Sequence, residues 1–290
     1  MSVLLTGAKG GFGRILAQWL QQHANESVWL TDIKDEADEF YIQCDMGNAD
    51  AIHALIKRVR PQRIFHLAGS FSNVYDMDYQ INALSARHFC ETLIAEHSDA
   101  RLVLIGSAAE YGFIHPRENP VREDHVLRPV SVYGLTKAIQ THFATYYAQR
   151  HAINVVVARL FNLNAPGLSE RLFVGRVEQL IARFKRKEID VIELGNLESQ
   201  RDYLKIGDAI SQLLLIADKG ERGEVYHMAS GQPVRMRDLL AEMLAAANLD
   251  MSVVREEKSN DRKIGYDIPI IYAEMKKTNG LVGGLEETSQ

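Results

Sequence analysis

Short runs of aliphatic and β-branched residues recur at positions 3–5, 28–30, 64–67, 102–105 and 155–160, without the alternating polar positions of a half-solvated strand. Between them, at 12–23, 49–59, 79–97 and 132–150, apolar residues recur every three or four positions, as on one face of a helix. Strands apolar on both faces must be covered on both, and strands separated by helices pair in parallel. The pattern therefore predicts an α/β fold, a doubly wound parallel sheet of the Rossmann type. After Leu160 the alternation loosens: Pro166-Gly167 marks a turn, helices are expected at 174–187, 208–219 and 237–248, and strands at 189–193 and 225–228. We expect a main domain over 1–160, rejoined by 201–228, and a smaller C-terminal α/β lobe built from 161–200 and 229–290.

The first strand runs into the first helix through Thr6-Gly-Ala-Lys-Gly-Gly-Phe-Gly13. Bare backbone at Gly7, Gly10, Gly11 and Gly13 allows close approach to a pyrophosphate. The helix N-terminus behind it, opening near Phe12, offers free N–H groups and the positive end of its dipole. Placed between the first strand and the first helix, Gly7, Gly10 and Gly13, spaced by three, point to a dinucleotide site; elsewhere they would be a tight turn. Asp32 ends the second strand, about twenty residues beyond the last glycine, where a carboxylate bonds ribose hydroxyls and repels a 2′-phosphate. That favours NAD over NADP, although the neighbouring Lys34 keeps NADP open, and Asp32 capping a turn is the plain alternative.

In Ser131-Val-Tyr-Gly-Leu-Thr-Lys137, Tyr133 and Lys137 are four residues apart, so on a helix the phenol and the ammonium lie on one face. A fixed positive charge beside a phenol is expected to lower its pKa and suit it to proton transfer. By itself the pair is equally a surface helix. Ser107 follows the strand at 102–105, at the carboxyl edge where open α/β sheets place ligands, or else serves the loop there.

With 290 residues, 46% of them hydrophobic, the chain has enough material for a domain plus a lobe. Its net charge of -5, with both signs interspersed, argues against a nucleic-acid surface. Cys44 and Cys90 sit in apolar periodic contexts, so neither a disulfide framework nor a metal site is expected. No apolar run is long enough to span a membrane and no leader is evident, so a cytoplasmic protein is expected.

These residues together resemble the extended short-chain dehydrogenase/reductases, specifically the nucleotide-sugar epimerase/dehydratase group. Its motifs occur in order: Thr6-Gly-Ala-x-Gly-x-x-Gly13, Cys44-Asp45-Met46, His66-Leu-Ala-Gly69, Asn82, Ser107-Ala-Ala-Glu-Tyr-Gly112, Tyr133-x-x-x-Lys137, Arg159-Leu-Phe-Asn162 and Arg201-Asp-Tyr203. Within the group, Gly195-Asn-Leu-Glu-Ser-Gln-Arg-Asp-Tyr203 and the short chain resemble most the 4-keto-sugar reductases, GDP-4-dehydro-6-deoxy-mannose reductases among them.

The resemblance implies that Asp45 and Met46 meet the adenine, that Leu67, Ala68 and Gly69 pass by the ribose nearest the nicotinamide, and that Ser107, Tyr133 and Lys137 are catalytic. Lys137 would also hold the nicotinamide ribose. Ser107, Ala108, Asn162, Phe173 and Arg201 would contact substrate, with Arg201 on the diphosphate, a task suited to a planar fork of donors. The residue-level alternatives stay open: Asp45 capping the next segment, Asn82 as a satisfied buried amide, Arg201 paired with Asp202, and Phe173 as core. Dehydratases of the group carry an acid two positions after the catalytic hydroxyl, where this chain has Ala109, with Glu110 shifted by one. A second phosphate arginine of many relatives is replaced by Ile264, leaving Arg262 or Lys263 to substitute. The implied activity is NAD(P)H-dependent reduction of a nucleotide-diphosphate 4-keto-6-deoxysugar. Epimerisation with retained NAD and a non-catalytic dinucleotide-binding regulator are the alternatives. A homodimer through the helices at 79–97 and 132–150 is also implied.

Overall fold

The computed structural model describes residues 2–256 and 268–283. The strands in chain order are β1 (Ser2–Thr6), β2 (Ser27–Asp32), β3 (Tyr41–Gln43), β4 (Arg63–His66), β5 (Arg101–Ser107), β6 (Val155–Leu160), β7 (Asn162–Asn164), β8 (Ile192–Leu194), β9 (Gln200–Lys205), β10 (Val225–Met228), β11 (Pro233–Arg235), β12 (Val254–Glu256) and β13 (Ile270–Ile271). A 7-stranded sheet runs β10-β6-β5-β4-β1-β2-β3, with every neighbouring pair parallel. From β1 the chain winds outward through β2 to β3, then returns to β4 on the other side of β1. The order therefore reverses at β1 and β4, and the crevice at their carboxyl ends is where such sheets hold ligands.

Alternation along each strand sends successive side chains to opposite faces. Val3 and Leu5 of β1, with Val103 and Ile105 of β5, pack into a core covered by α1 (Gly11–His23) and α7 (Ile206–Lys219). Leu4, Ile64, Leu102 and Leu104 face the other way, onto α2 (Ala49–Val59), α4 (Ser85–Ala95) and α5 (Val132–His151). Burying each such leucine contributes on the order of 1.5–3 kcal/mol. This two-sided burial is the reason the strands read as unbroken apolar runs.

Ahead of α4, α3 (Tyr75–Asp78) continues through a π-helical turn, Tyr79–Leu84. The helix expected over 79–97 thus starts earlier and carries a wide turn in its middle. The smaller lobe contains α6 (Phe173–Lys185), α8 (Met236–Ala246), the sheet β11-β9-β13 with β7 on β9, and the pair β12-β8. A last helix, α9 (Lys276–Gly283), packs against α7 and β10.

Two boundaries need correction. The strand expected at 189–193 forms at Ile192–Leu194, because Lys187 takes a left-handed φ of 58° and the chain turns before it extends. The return to the main sheet starts at α7 rather than at residue 201, since β9 pairs with β7, β11 and β13 in the lobe. Arg262, Lys263, Ile264 and Asp267, where the second phosphate clamp would be sought, lie outside the described residues. No helix among the described residues is long and apolar enough to cross a membrane.

Candidate active site

At the carboxyl edge of the sheet lies a cleft of ≈ 640 Å³ between the main domain and the lobe. Its floor is the glycine turn. Gly7 has φ 70°, and a Cβ there would sit 2.6 Å from the Ala68 backbone nitrogen; one on Gly13 would sit 2.0 Å from the Gly7 carbonyl oxygen. Any side chain at either position would push the turn off the loop after β4 or off its own helix, so glycine is what lets these backbones pack this closely. Gly7, Gly10, Gly11, Phe12 and Gly13 all line the cleft, as do Leu67 and Gly69.

The loop after β4 is held from below. His66 Nδ1 meets Thr6 Oγ1 at 2.8 Å, and its Nε2 meets Ser85 Oγ at 2.9 Å. Thr6 Oγ1 in turn accepts from the Ala68 N–H at 3.2 Å. Burial pulls the His66 imidazole down to about 3, the nearby Lys137 charge adding to the effect, so it stays neutral. Asn82, in the π-helical turn, accepts from Ser70 N–H and donates to Ser70 carbonyl, both at 2.8 Å, and donates to Thr136 Oγ1 at 2.9 Å. It is a fully satisfied buried amide that ties the loop to α5.

Helix α5 brings the proposed proton-transfer pair into the cleft. Ser131 caps it, accepting from Gly134 N–H at 3.0 Å. Gly134 is a contact point: a Cβ there would lie 2.4 Å from the Ala109 carbonyl, so only glycine lets α5 close on the loop after β5. That contact sets Tyr133 beside Ser107, whose hydroxyl hydrogen-bonds the phenol. The Phe71 ring stands edge-on to Tyr133, 4.8 Å between centroids at 89°. Lys137, one turn on, is buried and donates to the Ile105 carbonyl at 2.8 Å and to Gln140 Oε1 at 2.9 Å. Ser107, Ala108, Tyr133 and Lys137 all line the cleft, which brings the three catalytic candidates together.

The electrostatics correct one expectation. Burial pushes the Tyr133 phenol up to about 12; the Ser107 hydrogen bond opposes this, and the Glu110 and Asp78 carboxylates add to it. The phenol is raised, not lowered, because burial outweighs the Ser107 hydrogen bond, while the Lys137 ammonium is spent on the Ile105 carbonyl and Gln140. Burial also pulls Lys137 down to about 8, against the upward pull of Glu110.

The lobe supplies the other wall. Asn162, Phe173 and Arg201 line the cleft. The Asn162 amide donates to the Asp202 carbonyl at 3.1 Å, and the Arg201 guanidinium donates to the Gln200 carbonyl at 2.8 Å. The Asp202 carboxylate is occupied by Ser230, Gly231 and Ala273, holding the lobe loops together.

Other sequence candidates lie off the cleft: Asp32, Asp45, Met46 and Ala68 are not part of its wall. Asp32 accepts from Lys9 N–H at 3.0 Å and Lys34 N–H at 3.3 Å, beyond the glycine turn. Asp45 holds Gly47 N–H at 2.8 Å, whereas Asn48 caps α2; Met46 is core. Conversely, Phe71 and Arg171 went unnoticed in the sequence. Arg171 reaches from the lobe to the Phe71 carbonyl at 2.6 Å, spanning the mouth of the cleft. An aromatic two residues past Gly69 was the available signal for Phe71; Arg171 left none. Gln140 sits three residues past Lys137 on the same helix, a spacing that was there to be read.

A glycine-turn sheet edge with Ser, Tyr and Lys converging on it defines an NAD(P)-dependent oxidoreductase of the short-chain type. The family model described as NAD dependent epimerase/dehydratase family matches residues 3–229, and the chain belongs to that family. It is 26% identical over 203 residues to GDP-6-deoxy-D-mannose reductase of Pseudomonas aeruginosa, covering 68% of this chain and 66% of that relative. Against dTDP-6-deoxy-L-talose 4-dehydrogenase (NAD(P)(+)) of Kitasatospora kifunensis the identity is 26% over 257 residues, 87% of this chain and 80% of the other. In fold it matches the structure of RMD from Pseudomonas aeruginosa complexed with NADPH, with a TM-score of 0.82 at 23% identity, over 97% of this chain and 92% of that one.

Proposed function

We propose that the protein reduces the C4 carbonyl of a nucleotide-diphosphate 4-keto-6-deoxysugar. The observation that carries this is at the loop after β5. Ala109 lines the cleft where dehydratases of the group carry an acid, and Glu110 is turned inward, 2.9 Å from Arg159. Elimination therefore lacks its acid, while carbonyl reduction needs only what Ser107, Tyr133 and Lys137 provide. Two relatives named above, each 26% identical, carry a nucleoside-diphosphate 6-deoxysugar in their names.

In this reading the glycine turn and the N-terminus of α1 hold the pyrophosphate, Asp32 the adenine-side ribose, and Lys137 the nicotinamide ribose. Bound NAD(P)H supplies the hydride that adds to C4. Ser107 orients the C4 carbonyl by a hydrogen bond, and Tyr133 gives its proton to the nascent alkoxide oxygen. A phenol raised to about 12 keeps that proton at neutral pH until the oxygen becomes basic enough to take it. Asn162 and Arg201 bind the sugar diphosphate and Phe173 flanks the base. Asp32 favours NADH. The chain works as a homodimer through α5 and the helical run 75–95, for which light scattering should give a mass of two chains.

The test is a panel of nucleotide 4-keto-6-deoxysugars and parent nucleotide sugars, with NADH and NADPH separately, followed at the nicotinamide absorbance. We expect oxidation of the nicotinamide with a keto sugar only. Isomerisation without net consumption makes the enzyme an epimerase, and water loss from a parent nucleotide sugar contradicts the proposal.

A further inference from the structure

Behind the catalytic hydroxyl lies a buried charge that neither proton transfer nor substrate binding uses. Glu110 is 0% exposed and Arg159 1%. One carboxylate oxygen of Glu110 accepts from Ser107 N–H at 2.7 Å. The other accepts from Thr141 Oγ1 at 2.9 Å and from Arg159, at 3.1 Å from Nε and 2.9 Å from Nη2. Arg159 spends its remaining reach on Tyr111 Oη at 2.7 Å and on the Glu123 carbonyl at 3.1 Å.

The carboxylate is wedged as well as bonded. A Cβ on Gly106 would lie 2.7 Å from its Oε1, so β5 leaves room for this carboxylate only by having no side chain there. A carboxylate bridging the strand that ends in Ser107, the helix that carries Tyr133 and Lys137, and the strand of Arg159 is costly to bury unless paired. A helix cap on a three-residue turn does not call for a fully buried ion pair.

We propose that Glu110, clamped by Arg159, is the positioning residue of this site: its carboxylate fixes Ser107 through the backbone and supplies the buried negative charge that balances Lys137 beside Tyr133. The proposal rests on Ser107, Tyr133 and Lys137 being the catalytic trio, not on which sugar is reduced. The groups facing Glu110 support it. Arg159 lies on β6, Thr141 and Lys137 on α5, and Tyr133 beside Ser107. Tyr111 links Arg159 to His227 of β10, which burial holds neutral, pulled down to about 3. Half-buried Glu123 lies 3.5 Å from the same histidine, and Asp78 acts on Tyr133 from α3. Of these, Glu110 is the carboxylate that raises Lys137 against its burial.

Two readouts test it, one needing no substrate. In protein labelled at the lysine Cε, with the Lys137 resonance assigned by Lys137→Met, the parent should titrate near pH 8. Glu110→Gln should move that midpoint down by about one pH unit, since an opposite charge at this range shifts a pKa by that order. With a 4-keto-6-deoxy nucleotide sugar, Glu110→Gln should lower kcat at least about tenfold and leave KM within about twofold, as expected of a misplaced hydroxyl. Glu110→Asp keeps the charge but shortens its reach, so it should restore the midpoint and not kcat. Because a lone buried Arg159 endangers folding, the Glu110→Leu/Arg159→Met pair, which leaves no unpaired charge, serves as the second variant and should show the same lowered midpoint. A folded variant of either kind with the parental Lys137 midpoint overturns the proposal. A shifted midpoint with no turnover of any keto sugar leaves it standing and removes the substrate reading instead.

Discussion

Asp32 and two histidines show how single side chains carry measurable weight here. Asp32 sits at the end of β2 with its carboxylate steadied by two backbone N–H groups; in the proposed reading it would accept from ribose hydroxyls and repel a 2′-phosphate. Asp32→Asn should shift the NADH to NADPH ratio of kcat/KM toward NADPH by at least about tenfold, the equivalent of about 1.4 kcal/mol; initial rates with each cofactor check this. His66 and His227 are both fully buried and neutral, pulled by burial down to about 3 in the folded chain, against about 6.5 for a free imidazole. Between those values the unfolded chain binds more protons than the folded one. Stability is therefore lost as the pH falls from 6.5 toward 3, by up to about 1.4 kcal/mol per pH unit for each histidine. Urea midpoints across that range should fall with pH, and His227→Gln should flatten the slope. That Ser107, Tyr133 and Lys137 would meet in one cleft was legible because their spacing and order follow a local pattern. What they do to one another was not: the phenol's raised pKa depends on burial and on Ser107, Glu110 and Asp78, all more than twenty residues away in sequence.

Helix α5 meets the loop after β5 at a contact that only a glycine permits. Gly134→Ala should move α5 off the Ala109 carbonyl and Tyr133 off Ser107, lowering kcat by about a hundredfold while the dinucleotide still binds. Steady-state kinetics beside fluorescence titration of NADH would separate the two effects. The main strands and helices were readable because each buries an apolar face with its own period. Among the lobe strands β8 was read with its bounds displaced, and the rest were not readable. β9 carries Gln200, Arg201 and Asp202, and what makes it a strand is pairing with β7, β11 and β13, distant segments of 3, 3 and 2 residues, too short to show a period. β3 has three residues, too few to show a period. The π-helical turn follows from no propensity we can name, yet it is the turn that carries Asn82, bonded to Ser70.

Across the whole molecule, the chain leaves the main sheet after β6, builds the lobe wall that carries Arg171, Phe173 and Arg201, and comes back as β10 beside β6. That double crossing places the lobe residues of the cleft opposite the glycine turn, with Arg171 bonded to the Phe71 carbonyl between them. The cleft therefore belongs to neither part alone, and the site's chemistry depends on both being held in register. The most direct measurement of the central claim is label transfer: NAD(P)H deuterated at C4 of the nicotinamide, a nucleotide 4-keto-6-deoxysugar, and mass analysis of the sugar. One deuterium at sugar C4 per turnover, lost with Tyr133→Phe as kcat drops by about a hundredfold or more, is the predicted result. Product formed without label at C4, or formed at the parental rate by Tyr133→Phe, would contradict it.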